Sequence, residues 1–281
     1  MKRFVIWGLL LVSPFAFARS ENGFKVLTTN CKPRLHDAVD SAPQSPPLNI
    51  DDPGTPGCNS WEINLTFTGE LASNEKNFQL PLLDINYGIG DNLQLKYEIA
   101  RTLRQTPTVQ ETAMARSKIG IKYLFFEDDS AKLQISFYPQ AEFSNPLEGL
   151  NTSLNAGSVV TWPVLLSKKI SENEVGDIIF ATNLGFNKSS RTDTDDSGFL
   201  RFGLGWPVLQ KVSWMTELAA LQTFSTPAKA SDLSFQLNTG ILVGLSKSIF
   251  FYTSCGQEFS NSSGKNPQTI LAGFRYLSAS F

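Results

Sequence analysis

The stretch that decides the fold is Phe78 to Ile99, which reads FQLPLLDINYGIGDNLQLKYEI. Residues 83–87 alternate between apolar and polar side chains, Gly88 to Asn92 supply turn-forming residues, and residues 93–99 resume the alternation. A period of two residues is typical of a strand with one apolar face, and two such runs joined by a Gly- and Asn-containing turn predict an antiparallel hairpin.

The same alternation recurs from Trp61 to the end of the chain. It predicts twelve strands, at residues 61–68, 78–87, 93–99, 118–126, 133–143, 159–168, 176–186, 198–206, 212–224, 233–245, 249–259 and 269–281. Pro81 cannot donate to a strand ladder and predicts a bulge or an irregular end in the second strand. Connections after odd-numbered strands are mostly longer than those after even-numbered strands, as in transmembrane barrels. The sequence therefore predicts an all-β, antiparallel up-and-down transmembrane β-barrel, with a soluble β-sandwich as the alternative.

Composition limits the function classes open to the chain. The 281 residues are 41% hydrophobic and 18% charged, with a formal net charge of −2. This balance gives no electrostatic case for binding nucleic acid. After Val12 no apolar run approaches the ~20 residues of a spanning helix. We therefore expect strands to make any contact with outer-membrane lipids.

The first eighteen residues have the pattern of an export signal. Lys2 and Arg3 precede the apolar run from Phe4 to Val12, and Ala16-Phe17-Ala18 forms a small-x-small cleavage site. This pattern predicts a signal peptide at 1–18 that is cleaved after Ala18, and with the barrel it predicts the bacterial outer membrane as the location.

The segment from 19 to 60 carries six prolines and no sustained alternation. It is interpreted as a Pro-rich linker tail, a cap or a small plug that precedes a barrel spanning 61–281. Export implies an oxidising compartment, so Cys31 and Cys58, which bracket part of this segment, are candidates for a disulfide. Cys255 lies in an apolar strand and is interpreted as a small hydrophobic residue.

The last predicted strand ends on Phe281, the signature that the outer-membrane barrel assembly machinery recognises in many barrels. Arg275 shares its parity with apolar Leu277, while Phe274 and Tyr276 take the other parity. Because an arginine facing mid-bilayer lipid costs up to ~2–4 kcal/mol, we expect Arg275 to face the lumen and a local bulge to lie near Leu277.

The segments WEINLTFTGE (61–70) and LPLLDINYGIGDNLQLKYEI (80–99) resemble the family described as the MetA pathway of phenol degradation. The resemblance is strongest from Trp61 to Ile99, and Ala100 stands where that family would have a proline. It implies an outer-membrane barrel that acts as a transporter for small aromatic or apolar compounds.

The residues predicted to face the lumen are the candidates for selecting a solute. They are Glu62, Asp84, Asn86, Lys96, Glu98, Lys118, Lys122, Arg201, Glu217 and Arg275. Opposite charges on neighbouring strands can pair, with Asp84 near Lys96 and Glu98 near Lys118 or Lys122. Such pairs either close a narrow lumen or form a polar constriction that selects solutes.

The sequence gives no support for an enzyme. The only histidine, His36, precedes the predicted barrel, so no serine–histidine pair can form on the strands. No metal-ligand spacing occurs and no cofactor is predicted. Two hypotheses remain: a channel or facilitator for small solutes, and a closed structural or interaction barrel that presents loops near Asn151 and Asp193 to partners.

Overall fold

The computed structural model describes residues 23–27, 48–114, 117–143, 157–190, 195–224, 232–260 and 266–278. Several sequence predictions fall outside these residues, namely those on the signal segment 1–18, Cys31, His36, Asn151, Asp193 and Phe281. The part of the chain that is described contains no helix long and apolar enough to cross a membrane.

The regular structure of the described residues is entirely β. Its strand segments are β1 (Trp61–Leu71), β2 (Lys76–Ile89), β3 (Leu93–Gln105), β4 (Gln110–Met114), β5 (Ser117–Asp128), β6 (Leu133–Phe137), β7 (Gln140–Phe143), β8 (Val159–Glu172), β9 (Asp177–Ser189), β10 (Ser197–Leu209), β11 (Val212–Thr223), β12 (Asp232–Gly244), β13 (Ile249–Ser260) and β14 (Gln268–Leu277).

The segments form one closed ring of antiparallel strands. β1 pairs with both β2 and β14, which joins the two ends of the sheet. β4 and β5 both pair with β3, and β6 and β7 both lie between β5 and β8, so each of these couples is one interrupted strand. The ring therefore has twelve strands, as predicted. A closed sheet excludes the sandwich alternative, and closure leaves no exposed edge.

The two ends of the barrel differ in the length of their connections. One end carries the connections 90–92, 129–132, 173–176, 210–211 and 245–248, and we call it the short-turn end. The other, the long-loop end, carries 72–75, 106–109, 144–158, 190–196, 224–231 and 261–267. The predicted asymmetry is present, although the first two connections at the long-loop end are also short. Ser60 and Ser278, which flank the barrel, both lie at the short-turn end.

Of the two predicted irregularities, one is present and the other is wrong. The β2–β3 register shifts between Gln79 and Leu82, which confirms the bulge at Pro81. No bulge occurs near Leu277, because β14 pairs with β1 without a shift from Gln268 to Leu277. Leu277 simply shares the lumen face with Arg275 and packs against an apolar cluster there. Arg275 and Leu277 can therefore share one face of β14 without a bulge, because the lumen face of this strand includes an apolar side chain.

The outer face of the barrel is apolar. Leu184, Leu218 and Leu237 are 62%, 49% and 52% exposed although they lie in the middle of strands. Aromatic side chains pair on this surface near both ends, at Trp61–Tyr87, Trp206–Trp214, Phe67–Phe78 and Phe186–Phe224. Apolar exposure on this scale is unfavourable in water, and an apolar band between aromatic girdles is the exterior of a membrane barrel.

Candidate functional site in the barrel lumen

A ladder of four alternating charges crosses β2, β3 and β5 on the lumen face. Lys96 Nζ lies 3.3 Å from Asp84 Oδ1 and 2.8 Å from Glu98 Oε2. The other oxygen of Glu98 lies 3.1 Å from Lys118 Nζ on β5. The pairs Asp84–Lys96 and Glu98–Lys118 are therefore those expected from the sequence. Because the ladder holds two cations and two carboxylates, it is electrically balanced.

A second network links this ladder to the seam where the first and last strands meet. Arg275 Nε on β14 donates to Asn64 Oδ1 at 3.1 Å and lies 3.6 Å from Glu62 Oε1. Asn64 Nδ2 on β1 donates to Glu62 at 2.9 Å and to Asp84 Oδ2 at 3.2 Å. Arg275 is only 2% exposed, so it faces the lumen as predicted. The network ties β14 to β1 and β2 across the closure of the barrel.

Residues 48–58, which we call the lumen segment, lie inside the barrel. The sequence left this region open between a linker, a cap and a plug. Leu48, Ile50, Pro53 and Cys58 are all buried by the surrounding wall. The segment forms no part of the strand ladder, so side chains of the wall hold it in place.

Lys122 on β5 holds the segment through its backbone. Its ammonium group donates to Asp52 O at 2.7 Å and to Gly54 O at 3.0 Å, and it lies 4.8 Å from the centre of the Tyr138 ring. Ser136 Oγ donates to Pro53 O at 2.5 Å. Three successive carbonyl groups are thus bound by one face of the wall. Lys122 does not join Glu98, which was one of the two pairings expected for that carboxylate.

Further round the ring, β9 and β10 bind the same segment. Asn183 accepts from Asp51 N at 2.7 Å and donates to Asp51 O at 2.8 Å, which satisfies both backbone groups of that residue. Arg201 donates to Asn49 O at 2.8 Å. Peptide groups buried away from water need such partners, so the wall supplies a complementary set for an extended chain.

Glu217 on β11 is fully buried beside the segment. Its Oε1 accepts from Asn238 Nδ2 at 2.8 Å, and the carboxylate faces the backbone N–H groups of Asn49 and Ile50. Its Oε2 has no hydrogen-bond partner among the described residues. The position of this carboxylate therefore depends on the segment as well as on the wall.

An apolar patch lines the lumen behind Ile50. Ile50 is 0% exposed and belongs to one cluster with Leu48 of the segment and with side chains of the wall. The wall members are Ala181, Met215, Leu242, Phe250 and Tyr252. Lumen faces of membrane barrels are normally polar, so an apolar patch inside this one marks the place where the segment docks.

A tight turn returns the chain from the lumen to the barrel wall. Gly57 and Asn59 have φ values of 93° and 53°, which lie in the left-handed region. A Cβ on Gly88 would lie 1.7 Å from Gly57 O, so only glycine at 88 lets the turn approach the wall. Asn59 N donates to Gly88 O at 3.0 Å, and Gly88 N donates to Ser60 O at 2.9 Å.

Between the segment and the charged wall lies a cavity of about 90 Å³. Its lining includes Asp52, Glu62, Asp84, Lys96 and Arg275. A polar cavity of this volume has room for several waters, since a single water needs roughly 10–15 Å³ on the same measure. No group of His, Cys, Asp or Glu side chains in the described ranges could hold a metal ion.

All ten candidate residues from the sequence lie on the lumen face, but they form separate groups. The charged networks contain Glu62, Asp84, Lys96, Glu98, Lys118 and Arg275. Asn86 accepts a hydrogen bond from Gln94. The lumen segment is contacted by Lys122, Arg201 and Glu217. Sequence reasoning did not select Ser136 and Asn183, which bind the segment. The one signal for docking was the spacing of Leu48 and Ile50, two apolar residues that point to the same side.

Cys58 is buried and disulfide-bonded, and Cys255 is a free thiol on the outer face. Cys31 lies outside the described residues, so its pairing with Cys58 stays a prediction.

Comparisons with known proteins identify the type of fold. No family model matches the sequence, so membership of the phenol-degradation family stays a resemblance. No curated protein matches it either. Among solved structures, an outer-membrane channel from Pseudomonas putida F1 superposes with a TM-score of 0.61 at 8% identity, covering 82% of this chain and 100% of the other. The NanC porin superposes with a TM-score of 0.53 at 10% identity, covering 76% and 98%. At these identities the likeness establishes the outer-membrane barrel fold and nothing finer.

Proposed function

We propose that this chain is an outer-membrane channel for small solutes whose lumen is closed by residues 48–58 until that segment moves. The observation that carries the proposal is the way the segment is held. It lies inside a complete barrel and is bound by side chains from several strands, without being a strand of the wall. A segment bound in this way can leave while the strand ladder stays intact.

The barrel itself supplies a route across the membrane. Its outer face is apolar and its lumen face carries charges and amides, which is the division expected of a transmembrane channel. In bacterial barrels the short turns face the periplasm, so we place the short-turn end there, with Ser60 and Ser278 that flank the barrel. The proposal includes export through the signal at 1–18, with cleavage after Ala18.

The solute class we propose is small aromatic or apolar compounds. The apolar patch around Met215, Leu242 and Phe250 supports it, because this surface is left open when Ile50 moves away. Lys122 and Arg201 also lose their carbonyl partners at the same moment. An aromatic ring that carries a carboxylate would satisfy both surfaces.

Swelling of proteoliposomes tests this proposal. Vesicles carrying the mature chain, or a chain that lacks 19–57, are placed in isosmotic benzoate or in an uncharged sugar. We expect the truncated barrel to swell faster in both solutes and to favour benzoate over the sugar. Equal rates for benzoate and the sugar would refute the solute class and leave the channel in place.

The second candidate function is a closed structural or interaction barrel. The balanced ladder from Asp84 to Lys118 favours it, because paired charges fill one side of the lumen without the segment. Under this alternative a folded, truncated barrel would not swell in either solute.

A further inference from the structure

One arginine faces the lipid side of the barrel. On β3 the outward residues are every second one, and Leu95 and Tyr97 among them are each 40% exposed. Arg101 continues this series and is exposed, whereas its neighbour Ala100 faces inward and is 4% exposed. Among the described residues Arg101 forms no ion pair, although Arg104 lies 2.8 Å from Glu75. The guanidinium is therefore free to bind an anionic group of the membrane.

The height of Arg101 indicates which part of the membrane that partner belongs to. Arg101 lies eight residues along β3 from Leu93 at the short-turn end. Eight residues span roughly 26 Å of strand, which at a tilt of ~40° is roughly 20 Å along the membrane normal. Since the apolar band of such barrels is ~25 Å tall, Arg101 lies about 5 Å below its outer boundary if Leu93 marks the inner one, and its long side chain can reach the lipid headgroups.

Arg101 also borders an apolar groove on the outer surface. The groove has a volume of about 520 Å³ and is lined by Phe67, Phe78, Leu80 and Leu103, with Gln110 and Thr112 at its polar side. The bulge at Pro81 shapes it, because Leu80 projects outward there and is 59% exposed. An apolar floor beside a guanidinium and an amide matches an acyl chain that ends in an anionic headgroup.

We propose that Arg101 and this groove bind a phosphorylated, acylated glycolipid of the outer leaflet, with an acyl chain on Phe78 and Leu103 and a phosphate on the guanidinium. Arginine suits this role because its planar fork binds phosphate oxygens in pairs. Two other outward cations near strand ends differ from Arg101. Lys188 is 2.6 Å from Asp196, and Lys168 lies near the short-turn end, toward the opposite leaflet.

Lipid binding by the refolded mature chain in detergent tests the proposal. Native mass spectrometry is used to titrate bisphosphorylated lipid A onto the barrel and gives an apparent Kd. We expect Arg101→Gln to weaken binding about tenfold. The matched control Lys168→Gln removes a lipid-facing cation at the other end and should leave Kd unchanged. Leu103→Trp fills the groove without a change of charge and should also weaken binding, so the test survives if one variant fails to fold.

The proposal also commits to the type of lipid. A tenfold excess of phosphatidylglycerol should not displace lipid A. Phosphatidylglycerol has a single phosphodiester and two acyl chains, so it presents fewer phosphate oxygens and fewer acyl chains to Arg101 and the groove. Displacement by phosphatidylglycerol would replace the glycolipid with a general phospholipid contact and overturn the proposal. It would equally be overturned if Arg101→Gln and Leu103→Trp both bound lipid A as the unmodified chain does. Neither result bears on the lumen, so this test is separate from that of the channel.

Discussion

At the scale of single residues, Lys122 is the charged side chain with the most hydrogen bonds to the lumen segment among the described residues. It alone binds two carbonyl groups of the segment, and it is itself buried. Hydrogen bonds from a charged donor contribute about 1.5–3 kcal/mol each. Loss of this ammonium group should therefore loosen the lumen segment by a measurable amount.

Lys122→Met removes both donors and keeps the length of the side chain. We expect the population with a displaced segment to rise tenfold or more, since each 1.4 kcal/mol is a factor of ten. Limited digestion by proteinase K reports this population, because cleavage within 48–58 tracks opening. Lys118→Met, on the same strand but bonded to Glu98, is the control and should leave the cleavage rate unchanged. Equal rates for the two variants would remove Lys122 from this role.

A second prediction at this scale concerns Gly88, which lies against the turn at Gly57. In Gly88→Ala the new Cβ would meet Gly57 O at 1.7 Å, so the turn must shift and the segment should loosen. Hydrogen exchange of the amides at 50–57 is expected to accelerate, with no change in the strands. In Gly176→Ala the nearest atom to the Cβ is Pro207 Cγ at 3.5 Å, an ordinary contact, so this control should exchange normally. Unchanged exchange in Gly88→Ala would show that the turn does not anchor the segment.

At the scale of strands, the charged ladder stabilises the packing of β2, β3 and β5. Lys96 contacts carboxylates on two strands, and its side chain is 7% exposed. Lys118 contacts one carboxylate and is 29% exposed. Removing one partner of a buried pair leaves an uncompensated charge, which is destabilising by about 3–5 kcal/mol, whereas a more exposed pair contributes about 1 kcal/mol or less.

Lys96→Met should therefore lower the free energy of unfolding by about 3 kcal/mol, and Lys118→Met by about 1 kcal/mol. Urea titration of the refolded barrel in lipid vesicles, followed by tryptophan fluorescence, measures both. Equal free energies of unfolding for the two variants would contradict this, because they would show that the buried Lys96 pairs contribute no more than the solvent-screened Lys118 pair.

The strands were largely predictable because lipid on one side and water on the other impose a period of two. The hairpin at Phe78–Ile99 and the pairs Asp84–Lys96 and Glu98–Lys118 follow from that period alone. A prediction from this period fails where a local contact places an apolar side chain on the lumen face. Leu277 is apolar and faces the lumen, where it packs against the cluster that includes Ile50 and Phe250. Its parity led to the prediction of a bulge that does not exist.

At the scale of the whole molecule, the lumen segment was the part that periodicity could not place. Residues 48–58 contain prolines and glycines and are bound through their backbone, so their own side chains carry little of the signal. Their partners, such as Lys122 and Asn183, appear in the sequence only as polar residues of a strand. The closure of the ring, by contrast, followed from the count of strands and the apolar outer face.

The central claim is that the barrel is a channel closed by its own segment, and conductance across a planar bilayer tests it most directly. The mature chain and the chain lacking 19–57 are compared after each is shown to be folded by its faster migration on an unheated denaturing gel. We expect long silent intervals with brief openings for the mature chain, and sustained, salt-proportional steps for the truncated chain. Silence from a folded, truncated barrel would contradict it, as would steady conductance by the mature chain while residues 48–58 remain protected from protease.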